Sequence, residues 1–192
     1  GDGGGGGGGG DKQQAAFQAA VSYLDRPRVP TGMPDNMKMV ACGANSIVAL
    51  TADGKLFTHG APQLNWICLG AKKATRPDVP YAVDSLKDRK IALVAAGPLH
   101  AAAVSTRNEL IVWGYNVNCS TLGVNGDRIA RVLSQPNPQY ERCGQLGTLK
   151  KALSPPRVVA GLGGRITAIE CGAAHTVVLT SQALYTFGCN DE

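Results

Sequence analysis

Cys171, His175, Thr176 and Cys189 stand close together in the stretch ECGAAHTVVLTSQALYTFGCN, Glu170 to Asn190. A thiol beside an imidazole is the pair that a cysteine nucleophile needs, and two thiols with an imidazole make three of the four ligands of a tetrahedral zinc site. Both chemistries require the pattern to be singular. A catalytic group occurs once, whereas a part of a repeated structural unit recurs at a fixed spacing.

The pattern recurs. MVACGANSIVALTADGKLFTHG (Met39 to Gly60), LVAAGPLHAAAVSTRNELIVWG (Leu93 to Gly114) and AIECGAAHTVVLTSQALYTFG (Ala168 to Gly188) align. In each, a small residue and a glycine (Cys42-Gly43, Ala96-Gly97, Cys171-Gly172) precede an apolar run, a polar turn, a second apolar run and a closing glycine. From Gly43 to Gly60, Gly97 to Gly114 and Gly172 to Gly188 the spacing is 17, 17 and 16 residues. His100 and His175 hold one repeat position that Ser46 takes in the first copy, so a hydrogen-bonding role inside the unit is expected of them. Cys42, Ala96 and Cys171 share another, which therefore asks for a small buried side chain. A reactive thiol needs basic or helix-terminal surroundings, and none are spelled out here.

Other sites fare no better. The six cysteines, Cys42, Cys68, Cys119, Cys143, Cys171 and Cys189, include no CxxC pair, so neither a zinc ribbon nor a redox dithiol is predicted. Buried free thiols in a chain of this size point to an intracellular setting, cytoplasm or nucleus. GLGGR (Gly161 to Arg165) and GQLGTLKK (Gly144 to Lys151) have the glycines of phosphate loops without the Walker A spacing or a strand-loop-helix setting. No catalytic residue, metal or cofactor is expected.

The elements that must carry these residues are short strands. The chain has 192 residues with 25 Gly, 11 Pro, 44% hydrophobic, 17% charged and 5% aromatic residues, a balance that favours turns and strands in an all-β fold. Asp53-Gly54, flanked by IVAL and KLFT, predicts a type I′ hairpin. The equivalent turns at Thr106 to Glu109 and Thr180 to Ala183 contain no glycine. Proline-led segments, RPRVP (Arg26 to Pro30), RPDVP (Arg76 to Pro80) and SPPRVV (Ser154 to Val159), precede each glycine and predict a further strand that opens each unit at a sheet edge. Units of roughly 50 residues built from short strands have the period of propeller blades. No apolar run reaches the ~18 residues of a membrane span.

These segments, with CGQLG at Cys143 to Gly147, resemble the repeats of the regulator of chromosome condensation family. Its pattern runs Cys/Ala-Gly, His three residues later, aromatic-Gly-x-Asn, then Gly-Gln-Leu-Gly. Ser46 and His59 depart from it in the first unit, and Leu69-Gly70 and Leu122-Gly123 keep part of the last motif. The resemblance implies a seven-bladed β-propeller of four-stranded antiparallel blades. Three units do not close such a ring, which implies a piece of a longer protein.

The expected organisation is therefore a Gly-rich linker and short helix over 1–25, with Asp11 and Gln14 as a capping pair. A partial propeller follows over 26–192, with units at about 26–70, 76–123 and 154–192 and a basic insertion at about 123–153. Between Gly123 and Arg157, six basic residues face only Asp127 and Glu141, which concentrates most of the net charge of +5 there. Long loops on rigid scaffolds often carry function. Arg128, Arg131, Arg142, Lys150 and Lys151 are accordingly the candidate partner-binding residues, and a solvated loop is the alternative. The leading expectation for function is a non-catalytic regulatory or scaffold propeller that docks a macromolecular partner. Two alternatives stand beside it. The resemblance implies guanine nucleotide exchange on a small GTPase of the Ran type, and the basic insertion suggests association with chromatin or nucleic acid.

Overall fold

In the computed structural model the short β-prone runs form a succession of antiparallel hairpins. It describes residues 29–44, 46–60, 79–116, 144–148 and 152–188. The chain divides into two units after Pro30, and every strand belongs to the second, Thr31–Glu192. The glycine run and the expected helix at Asp11 to Leu24 lie outside the described residues.

The first sheet has the order β1 (Met37–Cys42), β2 (Ser46–Thr51), β3 (Leu56–Gly60), β4 (Tyr81–Ala82), and a 3₁₀ turn, η1 (Asp84–Leu86), follows it. The second runs β5 (Ile91–Ala96), β6 (His100–Ser105), β7 (Leu110–Tyr115), β8 (Ala152–Val159). The third is formed by β9 (Ile166–Cys171), β10 (His175–Thr180) and β11 (Leu184–Gly188). All pairings are antiparallel between neighbours. The fold is all-β, a partial propeller of antiparallel blades.

Two of the three proline-led segments do not open the units they precede. Tyr81–Ala82, which follows Pro80, pairs with β3, and β8, which contains Pro155 and Pro156, pairs with β7. Each thus closes the preceding sheet as its outer strand. An edge strand tolerates proline because one of its sides needs no ladder donor, and a proline-led run signals an edge without saying which sheet it edges. Arg26 to Arg28 lie outside the described residues.

The first turn also differs from expectation. Gly54 N–H donates to Thr51 O and Thr51 N–H to Lys55 O, with Gly54 at φ 86 and no positive φ at Asp53. A type I′ turn needs positive φ at both central residues; this is a longer loop closed by one left-handed residue. Asn108, at φ 66, does the same in the second unit, with Asn108 N–H bonded to Ser105 O and Ser105 N–H to Glu109 O. Asparagine tolerates that conformation better than other side-chain-bearing residues. In the third unit Thr180 N–H bonds directly to Ala183 O. That loop is one residue shorter, which accounts for the 16-residue glycine spacing.

The sheets stack face to face, and the middle one is buried on both sides. Every residue of β6 and β7 is buried. Successive side chains on a strand point to opposite faces, so Ala101, Ala103, Ile111 and Trp113 pack against Val48, Leu50 and Leu56 of the first sheet. Their alternates Ala102, Val104, Leu110 and Val112 pack against Ile166, Ile169 and Val178 of the third. Fully burying one such aliphatic side chain stabilises by roughly 1.5–3 kcal/mol. Stacking is therefore what makes each short hairpin worth forming. The outward faces of the first and third sheets keep apolar residues partly in solvent: Val40 is 63% exposed, Leu179 45% and Leu184 63%.

Candidate functional site

The repeat glycines mark where the sheets come closest. A Cβ at Gly43 would lie 2.8 Å from Gly97 O, and one at Gly97 would collide with Gly172 O. Each glycine therefore approaches the backbone of its counterpart in the next sheet, which any larger residue would hold apart. The same position is covered from its own side. The ring of His100 lies 3.1 Å from a Cβ on Gly97, and the ring of His175 fills the space above Gly172. Glycine and the histidine three residues on are thus one packing unit. The closing glycines Gly60, Gly114 and Gly188 have φ of 149, 116 and 138. A side chain at Gly114 or Gly188 would also run into the backbone of Leu99 or Ala174.

His100 is fully buried, and its Nε2 lies 2.9 Å from Thr176 Oγ1 in the next sheet. Thr176 Oγ1 donates in turn to Gln145 O at 2.7 Å. A hydroxyl has one proton to give, so His100 Nε2 is the donor in the first bond. Burial first, then the charge of His175, pushes the His100 imidazole down from 6.5 to about 4, so it is neutral at physiological pH. Between the first and second sheets the corresponding residues are Ser46 and Ala101. The first unit's loss of histidine thus coincides with the second unit's lack of a hydroxyl partner.

Cys171 packs against the core between the second and third sheets. Burial, reinforced by Glu170, raises its thiol to about 12, the reverse of what a nucleophile or metal ligand requires. Cys42, at the equivalent position, is exposed where Cys171 is half-buried. Cys171 is covered by the sheet before its own, and for the first sheet no such neighbour exists among the described residues. His175 is exposed for the matching reason at the other end. Among the described residues no group of three or more His, Cys, Asp or Glu could hold a metal.

The Gly-Gln-Leu-Gly segment is a clasp. Gln145 and Leu146 are buried, Leu146 joins the core between the second and third sheets, and Asn116 Nδ2 donates to Thr148 O. This part of the expected insertion is therefore integral to the blades. Arg128, Arg131, Arg142, Lys150 and Lys151 lie outside the described residues.

The end of the sheets that carries the hairpin turns is held by a second repeated set of bonds, which the motif comparison missed. Ala52, Thr106 and Ser181 donate their N–H groups to Asn36 O, Lys90 O and Arg165 O, tying each turn to the start of its own first strand. Each of the first two turns also reaches the next sheet. Ile91 N–H bonds to Gly54 O, and Ile166 N–H bonds to Asn108 Oδ1 at 2.7 Å while Asn108 Nδ2 donates to Gly164 O at 2.9 Å. Two acids at this end are already engaged. Glu109 accepts from Ser105 Oγ and pairs with Arg89 at 3.2 Å, both of which lower its pKa. Asp53 pairs with Lys55 at 2.9 Å and is held at about 2, chiefly by Thr51 and then by Lys55.

No family model matches the chain. Among curated proteins it is 30% identical over 182 residues to the human probable E3 ubiquitin-protein ligase HERC3, an alignment covering 78% of this chain and 17% of HERC3. To the Arabidopsis thaliana RCC1 domain-containing protein RUG3, mitochondrial, it is 32% identical over 156 residues, 81% of this chain and 31% of that one. The chain thus spans less than a third of either relative. Among solved structures, human WBSCR16 matches with a TM-score of 0.55 at 20% identity, covering 85% of this chain and 35% of that one. Prp20p from Saccharomyces cerevisiae matches with 0.53 at 18%, covering 80% and 33%. Stacked sheets of one design, with glycine, histidine and Gly-Gln-Leu-Gly parts at their junctions, join with these likenesses in one conclusion: the chain is a run of propeller blades similar to the repeats of RCC1 domain-containing proteins.

Proposed function

We propose that the chain is a regulatory module that docks a macromolecular partner on the loops and rim of its blades and catalyses no reaction itself. The observation that carries this reading is the use to which its chemically able side chains are put. His100 is neutral and bonded across two sheets, and the Cys171 thiol is buried and protonated. What the blades present outward is a set of turns each tied to its own first strand, the first two also to the next sheet, a rigid scaffold of the kind on which binding loops are carried. Arg128, Arg131, Arg142, Lys150 and Lys151 are proposed to add a basic contact surface for an acidic partner or nucleic acid.

Guanine nucleotide exchange on a GTPase of the Ran type is the second reading. It is supported by the likeness to Prp20p, whose structure was reported with its binding properties to Gsp1p and histones. Biolayer interferometry of the immobilised chain against a nucleotide-free Ran-type GTPase and core histones tests docking. Saturable binding in the micromolar range or tighter supports the module, and no binding to either at about 100 µM removes it. Release of labelled GDP separates the two readings: acceleration favours exchange, and the intrinsic rate leaves docking alone.

A further inference from the structure

Each first strand carries a β-bulge at the same place. The register jumps between Met37 and Met39, between Ile91 and Leu93, and between Ile166 and Ala168, so Lys38, Ala92 and Thr167 are left without a ladder partner. Bulges re-aim side chains and are over-represented beside binding and active sites. All three of these residues line one open cleft of about 850 Å³ at the turn-bearing end, within the size range of ligand sites, roughly 300–1,000 Å³.

The charge in that cleft has one sign. Arg107, from the second unit's turn, and Arg165, from the residue before β9, line it with Lys38, and no carboxylate does. Of the acids at this end, Asp53 pairs with Lys55 and Glu109 with Arg89, though the Glu109 charge also reaches Arg107, and Asp88 stands near Arg107 in the adjoining hollow. Among the described residues none of the three cations is in an ion pair. Arg165 is held firmly: its N–H donates to Ser181 Oγ, its C=O accepts from Ser181 N–H, and Asn108 grips the residues on either side. No aromatic ring lines the cleft, so it lacks the stacking platform that single-stranded nucleic acid uses. The hydroxyl of Thr106 beside Arg107 suits a carboxylate as well.

We infer that this cleft is a docking site for an acidic peptide segment of a protein partner, its carboxylates taken by Lys38, Arg107 and Arg165. The inference rests on the docking reading and names its chemistry. The probe is a fluorescein-labelled dodecapeptide of alternating Glu and Ser, titrated by anisotropy with the full chain at 50 mM and 200 mM salt. Saturable binding that weakens with salt, and weakens at least tenfold in Lys38→Glu/Arg107→Glu/Arg165→Glu, is the expected result. All three sites are exposed, so circular dichroism should show the triple variant folded; Lys38→Arg should bind like the parent.

Absence of peptide binding, or unchanged binding by the triple variant, overturns the inference. So does loss of binding in an Arg128→Ala/Arg131→Ala/Lys150→Ala/Lys151→Ala variant alone, which would move the site to the basic stretch. A 20-base-pair DNA duplex that displaces the peptide and itself depends on the three cations would assign the cleft to nucleic acid instead. The GTPase and histone titrations run alongside separate the two levels. Their persistence without peptide binding leaves docking standing and removes the cleft, whereas loss of all of them removes both.

Discussion

His100 gives the fold an acid-sensitive joint. In the unfolded chain its imidazole titrates at 6.5, and in the fold at about 4 because burial disfavours the cation. The sign comes from linkage: between these values the unfolded state binds the proton and the native state does not, so stability falls as pH drops. The contribution is fully present above about pH 6.5, and a shift of this size corresponds to a loss of about 3 kcal/mol once pH has passed the folded value. With a urea m-value of roughly 2 kcal/mol/M for a domain of this size, the unfolding midpoint should fall by about 1 M between pH 7 and pH 4.5. The carboxylates stay out of most of this window. Asp53 is held at about 2 and Glu109 below its ordinary 4.5, so what they contribute is lost only at lower pH. The assay is urea unfolding followed by far-UV circular dichroism in half-unit pH steps, on the parent and on His100→Gln. The variant is less stable throughout, and the informative quantity is its slope, which should flatten between pH 6.5 and 4.5. Parallel slopes would refute the burial of a neutral His100.

The same geometry sets three further outcomes. Gly97→Ala forces a methyl group onto Gly172 O and should cost about 2–3 kcal/mol of unfolding free energy, whereas exposed Lys38→Ala should stay within about 0.5 kcal/mol. Asn108→Gly keeps the left-handed turn and loses the bonds to Gly164 and Ile166, while Asn108→Ala loses both features, so urea midpoints should rank parent, glycine, alanine. The last two should differ by about 1 kcal/mol. Iodoacetamide at pH 7.5 should label exposed Cys42 and spare Cys171 until the chain is unfolded, as read by peptide mass spectrometry.

What could be seen in the sequence was whatever depends on local chemistry repeated at a fixed interval. Gly43, Gly97 and Gly172 stood out as repeat positions at nearly fixed spacing, and the interchange of His100 and His175 with Ser46 argued against catalysis before any contact was known. The stretch from Glu170 to Asn190 lost its reactive appearance on that ground. Sheet assignment was less legible. A proline at an edge is neutral about which neighbour it joins, so the strands at Tyr81 and Pro155 were placed in the wrong units. The bulges at Lys38, Ala92 and Thr167 leave no residue signature at all, since lysine, alanine and threonine share neither size nor charge. Asn108 carried a usable signal: in the second turn it stands where Gly54 closes the first, as the residue best able to replace glycine at positive φ.

The central claim is that repeat residues join consecutive blades, and a double-mutant cycle between His100 and Thr176, far apart in sequence, tests it most directly. Unfolding free energies of the parent, His100→Ala, Thr176→Val and the double variant give the coupling. The account predicts a coupling of about 1–2 kcal/mol, as for residues sharing a buried hydrogen bond. Additivity within about 0.3 kcal/mol would mean that the two do not meet and that the sheets are not stacked in this way.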